Sequence, residues 1–270
     1  MNLDKLLEYT ENIKEEIGEL KLHSDDVRHS FFGLYYSSIY DYYIGKVSYV
    51  LAEFIGNGDV QFKESLYPFK NHVLRLFEIQ DLELLSRGYH GNLNRNVIFG
   101  VWTSFELSVS LLFEHYVTQD DLEKIIDNIN SRLIKAIEHL EEKEKSIITD
   151  SLRKSAFIPL VRKFNFIVKR FSNCYMGNLK EDREFLNFAV KLRNCMIHSN
   201  GIYHGKSYYY KFGEEEFKFT DKQMFEQRGP NNRDVYLDIA IRIKSIFKNL
   251  MNCTKDIEYI EYPNDGQNIA

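Results

Sequence analysis

Three residues near the end of one apolar-periodic stretch carry side chains suited to proton transfer and anion stabilisation: Arg193, Asn194 and His198. Histidine titrates near neutral pH, so His198 suits a general acid or base. Arg193 stays cationic and presents a planar fork matched to phosphate oxygens, which suits charge that builds up in a phosphoryl-transfer transition state. Asn194 can orient either neighbour or bind phosphate. The element that must position them is residues 185–198, where Phe185, Phe188, Ala189, Leu192 and Met196 recur at spacings of three and four. That spacing predicts an amphipathic helix with one buried face, and Asn200-Gly201 supplies its stop signal. Five residues of helix turn the chain by about 140°. Arg193 and His198 therefore do not share one helix face, and their convergence is expected to need a helix that ends or unwinds at His198.

The pattern Arg193-Asn194 followed after three further residues by His198, at the end of such a helix, resembles the signature of the HEPN superfamily, all-helical proteins many of which are metal-independent RNases. Spacing alone does not single it out, because Arg132 and His139 also fit it inside a charged segment. Arg-Asn with His at this distance is, however, expected only about 0.03 times by chance in a chain of this composition. The resemblance covers about residues 92–252 and is strongest over 186–204. It implies an endoribonuclease, a toxin or an antiviral defence effector, that needs no cofactor and no metal. RNA carries its own nucleophile, the 2′-hydroxyl, so cleavage needs a base, an acid and charge stabilisation, roles the likeness assigns to His198 and Arg193 with Asn194 in support.

It further implies RNA as substrate, a homodimer with a composite site at its interface, and an antitoxin or defence-system protein as a further partner. Glu106, the one internal acid of a long apolar helix, matches a supporting position that orients Arg193; a solvated surface Glu is the other reading. The Tyr that adenylylated members carry two residues after the His is Asn200 here, so silencing at that position is not implied. Some HEPN proteins are helper or binding modules, and a helix-terminal Arg and His can simply cap carbonyls. A catalytically inactive HEPN-like interaction module is the alternative.

The elements around the motif are read from periodicity. Residues 2–23 carry Leu3, Leu6, Leu7, Ile13, Ile17 and Leu20 at helical spacing. A second helix, capped by Ser24-Asp25-Asp26, runs to about Ile55 and is dense in Tyr and Phe, a stripe that suits a core. After the turn signal Gly56-Asn57-Gly58-Asp59 a third helix is expected over 62–86, and Arg87-Gly88-Tyr89-His90-Gly91-Asn92 reads as a loop and boundary. The expected organisation is thus an N-terminal helical extension over 1–90, a HEPN-like domain over 91–255 and a loosely held tail over 256–270. Residues 119–155 read as one long helix or a broken pair. Residues 157–171 form a helix that interleaves Arg162, Lys163, Lys169 and Arg170 with aromatics, a pattern that suits nucleotide contact or merely a solvated outer face. Residues 208–219 read as two strands around Gly213-Glu214, Thr220-Asp221 as the cap of a short helix, and residues 234–252 as a closing helix. The fold class expected is all-α: a helical bundle of HEPN type with a small β-hairpin after the motif helix.

Composition agrees. The chain has 270 residues, 44% hydrophobic and 14% aromatic, with only 4 Pro and 14 Gly, which favours long helices and a sizeable core over a many-turned β fold. A net charge of -5 argues against a protein that coats nucleic acid and confines RNA contact to a local cleft. Cys174, Cys195 and Cys253 are odd in number and widely spaced, implying neither a disulfide framework nor a thiolate zinc site. With no signal-like start, a cytoplasmic protein is expected. Walker, Rossmann and His-Glu-x-x-His patterns do not occur.

Overall fold

The computed structural model describes residues 2–56, 82–171, 173–198, 201–230, 234–254 and 259–261. Among these the chain is mostly helical, with nine helices and one small antiparallel sheet. The helices are α1 (Leu3–Glu19), α2 (Val27–Gly56), α3 (Leu82–Tyr116), α4 (Gln119–Ile129), α5 (Ser131–Ala136), α6 (Glu142–Ser155), α7 (Leu160–Arg170), α8 (Leu179–His198) and α9 (Val235–Asn252). Between α8 and α9 lie β1 (Tyr208–Phe212), β2 (Glu215–Phe219) and β3 (Glu226–Arg228), in the order β1-β2-β3.

Helix α3 is the central beam. It packs against α2 along its length and also against α7, α8 and α9. Its apolar content, enough by length and composition alone to span a bilayer over Gly88–Tyr116, is largely consumed inside the fold by Val97, Val101, Trp102, Phe105, Val109 and Leu112. The close approach of α2 and α3 depends on small residues: a Cβ on Gly100 would run into Ser38 Oγ. Around α3 an aromatic cluster closes the core. Phe247 of α9 stacks on Phe31 of α2 with ring centroids 3.8 Å apart, and Phe105 meets both rings edge-on. The Phe and Tyr stripe of α2 is therefore core where Phe31, Phe32, Tyr35 and Tyr42 face inward, while Tyr40 remains exposed.

Four expectations are corrected. The loop expected at residues 87–92 is helix, because α3 runs straight through it. Gly88 and Gly91 have nothing within 4 Å of a would-be Cβ, so these glycines occupy open helical positions that α2 supports from the other side. Residues on both sides of the expected boundary at 90 contribute to one hydrophobic core. The charged segment 119–155 is three helices. Asn130 separates the first two, and a turn over residues 137–141 the next.

The hairpin, third, is a three-stranded sheet: β3 pairs with β2 where a short helix was expected, too brief and too polar to announce itself. Finally, the described part of the tail, residues 259–261, is held in place. Ile260 is buried, its N–H donates to Asp26 Oδ2 and its carbonyl accepts from Val27 N–H. Asp26 also caps α2 through the Arg28 N–H and forms a buried pair with the Arg28 guanidinium at 2.7 Å, whose Nη1 donates to the Thr254 carbonyl. The turn at 57–59, most of the helix expected at 62–86, and residues 199–200 lie outside the described residues.

Candidate functional site

Helix α8 is fixed at its start. Asn178 Oδ1 accepts from the Lys180 and Glu181 N–H groups, and its amide donates back to Glu181 Oε1 at 2.7 Å, satisfying N-terminal donors as a cap must. Asp182, fully buried, accepts from Tyr175 Oη at 2.6 Å and from Arg242 Nη2 of α9 at 2.5 Å. Burial and the adjacent carboxylate push the Tyr175 phenol far up, so it stays a donor. These bonds lock the rotation of α8 about its axis and decide which face its last turns present.

The buried face of α8 is the predicted one. Phe185, Phe188, Ala189 and Leu192 are buried, Leu186 and Cys195 join them, and Met196 is half-buried. Phe188 stacks on Tyr210 at 4.4 Å and meets Phe217, so the sheet covers the middle of the helix. The helix ends at His198. Gly201 at φ 88° donates to the Cys195 carbonyl and accepts from the Phe225 N–H, and Ile202 then pairs with Met224. The turn at Lys222 and the bridge at Met224 thus lie against the chain reversal that follows the helix.

The structure brings Arg193, Asn194 and His198 together. Arg193 Nη1 lies 3.0 Å from Asn194 Oδ1 and 2.7 Å from His198 Nε2. A guanidinium has donors only, so in this contact Arg193 Nη1 donates and His198 Nε2 accepts. Of the two expected ways to converge, an end or an unwinding at His198, the structure has the first: α8 is helical through His198 and ends there. The length of the Arg side chain bridges the angular gap that ideal geometry opens between the two positions. Arg193 Nε is buried without a hydrogen-bond partner among the described residues, while Asn194 and His198 are exposed. An orphaned buried N–H is costly and rare.

Glu106 does not join the trio: no hydrogen bond or ion pair links it to Arg193 among the described residues, and it lies half-buried on α3. His204 is exposed, and His90 sits within α3 against Tyr49. All three cysteines are free thiols; burial pushes those of Cys195 and Cys253 up, the latter to about 11, which makes them poor nucleophiles.

Three residues near the end of α8 or just beyond it carry no motif signal. Lys191 stands over the Tyr203 and Tyr208 rings at 5.8 and 5.1 Å. Ile202 and Met224 form an exposed apolar pair beside the helix end, 38% and 67% accessible. Their clustering depends on the chain reversal after Gly201, which spacing along the sequence does not display.

Comparison of the chain with protein-family models, with curated proteins and with solved structures finds no match in any of the three.

Proposed function

We propose that this chain is a metal-independent endoribonuclease of HEPN type, with Arg193 and His198 as the reacting groups and Asn194 as their positioning residue. The observation that carries the reading is Arg193 Nη1 held between Asn194 Oδ1 and His198 Nε2 at the exposed end of α8. In cleavage the RNA 2′-oxygen attacks the adjacent phosphorus, the O2′–P bond forms and the P–O5′ bond breaks. The 2′-proton passes to a base, and the leaving 5′-oxygen takes one from an acid.

His198 Nε2 carries the lone pair that would accept the 2′-proton. In the unliganded arrangement Arg193 covers that lone pair. An arriving phosphate competes for Nη1, so binding of the scissile phosphate both places the cation against the phosphorane and uncovers the base.

One imidazole cannot be base and acid in the same displacement. We therefore include in the proposal an isologous homodimer that sets two such helix ends face to face and supplies the second His198. The exposed Ile202 and Met224 beside the motif support an interface there.

The test is incubation of purified protein with single-stranded RNA in EDTA. Fragments ending in a 2′,3′-cyclic phosphate, or its hydrolysis product, are expected. Strict dependence on Mg²⁺ would overturn the mechanism. A second reading, a non-catalytic binding module, is favoured by one feature: both Nη1 hydrogens are already used within the trio, as in a purely structural helix terminus. RNA that is bound and never cut would decide for it.

A further inference from the structure

A cleft of about 500 Å³ opens where α4, α7 and the N-terminal half of α8 meet, well away from the trio. Four cations reach it, Lys124, Arg162, Lys169 and Arg183, and none of the residues lining it is acidic. Several acids of the surrounding helices are engaged with other cations: Asp121 pairs with Arg170, Glu123 and Asp127 with Arg153, and Asp182 with Arg242. Lys124, Lys169 and Arg183 have no ion-pair partner among the described residues, and Arg162 bonds only the Asn128 amide oxygen at 2.9 Å. In a chain of net charge -5, four cations without an ion-pair contact around a cleft lined by no acid are a local inversion of the molecule's electrostatics. The cleft also holds uncharged recognition groups. Phe166 is half-buried on its wall, and Asn165 Oδ1 is buried there without a hydrogen-bond partner among the described residues.

We propose that this cleft binds a nucleotide unit: the cations take its phosphate, Phe166 stacks on its base, and Asn165 accepts from a base N–H. The ingredients are those of sequence-tolerant nucleotide recognition, cationic groups along a backbone with an aromatic platform between them. The volume falls within the range of small-ligand sites.

Two sources share this chemistry, a free nucleotide and a segment of single-stranded RNA. The placement of Arg183 bears on the second. Arg183, Asn187, Asn194 and His198 fall within about 60° of one another around α8 and span about 22 Å along it. All four are exposed, so a polar track runs from the cleft to the trio. The proposal concerns binding and does not depend on cleavage.

The experiment uses full-length His198→Ala protein, which removes the expected cleavage, and measures binding of a labelled short single-stranded oligoribonucleotide and of ATP, with inorganic pyrophosphate as competitor. Binding is expected for at least one of the first two. ATP that displaces the RNA assigns the cleft to free nucleotides as well; RNA binding that ATP does not displace assigns it to the strand. Adding Lys124→Gln and Lys169→Gln together should weaken binding about tenfold or more and lower the salt slope by about 0.7 for each phosphate that is no longer neutralised.

Both lysines are exposed, so the doubly substituted protein should keep its Tm. Phe166→Leu should weaken the base-bearing probes while leaving pyrophosphate competition unchanged. No binding of either probe, or binding undiminished by the paired lysine substitutions, would overturn the proposal. Equal losses for pyrophosphate and nucleotide in Phe166→Leu would overturn the stacking role.

Discussion

At the scale of single residues, the trio at the end of α8 combines chemistry with little structural duty. Asn194 and His198 are exposed, and Arg193 bonds only its two partners among the described residues. His198→Ala and Arg193→Ala are each expected to abolish RNA cleavage while changing stability by no more than about 0.5 kcal/mol, the range of ordinary surface substitutions. Thermal melts run beside the cleavage assay check both halves, and a large loss of Tm would mean that the pair holds the helix end.

Asp26 is the opposite case. It and Arg28 are almost completely buried, so Asp26→Asn leaves a buried guanidinium uncompensated and should cost about 3–5 kcal/mol in chemical denaturation. Burial alone would raise the Asp26 carboxyl, yet the hydrogen bonds and charge of Arg28 overcome it and hold it below the ordinary carboxylate range. A depressed folded pKa contributes stability that is present above the unfolded value, about 3.9, and is lost as pH falls below it. Tm should therefore drop on acidification below about pH 4, and drop less steeply in Asp26→Asn.

At the scale of elements, α8 behaves as a rod with two fixed ends. The Asn178 cap and the Asp182–Arg242 bond fix the first turn, and the reversal at Gly201 fixes the last. Gly201 occupies the left-handed region, and a Cβ there would stand 3.3 Å from Met224 Cε. Gly201→Val should destabilise the fold by about 1–2 kcal/mol, the cost of a side chain in that conformation. It should also lower cleavage by more than unfolding explains, because the segment it displaces sets the position of His198. Urea melts and activity measured at a temperature where the variant is fully folded separate the two effects.

The basic helix α7 shows how tertiary context sorts a uniform pattern. Of its four cations, Lys163 turns inward to Ser110 Oγ and Arg170 pairs with Asp121, while Arg162 and Lys169 line the cleft.

At the scale of the whole molecule, the proposed composite site makes activity a property of the dimer. Specific activity should fall on dilution below the dimer dissociation constant, and Met224→Glu, which sets a charge in the exposed apolar pair, should give a folded, inert monomer. Sedimentation in parallel with the assay tests this, and a monomer that cuts RNA at full rate would refute the composite site.

Much of this architecture is legible in the amino-acid order alone, for a local reason. Apolar spacing of three and four, with Asn200-Gly201 after it, defines the motif helix and puts Arg193, Asn194 and His198 in its last turns, because helix amphipathicity and termini are set by residues within a few positions of each other. The closing helix α9 and the first two strands follow in the same way.

What only the tertiary structure decides is whatever depends on partners distant in the chain. Packing on α2 carries α3 through two glycines that read as a loop. Pairing with β2 makes a strand of three polar residues. Capture of Ile260 by Asp26 pins a tail with no periodicity of its own. Residues 124, 162, 169 and 183 converge on one cleft only because α4, α7 and α8 meet there. The Arg193–His198 pair stands between these cases: the residues and their helix are written locally, but a side chain long enough to cross about 140° of helix closes the pair without any break in the backbone.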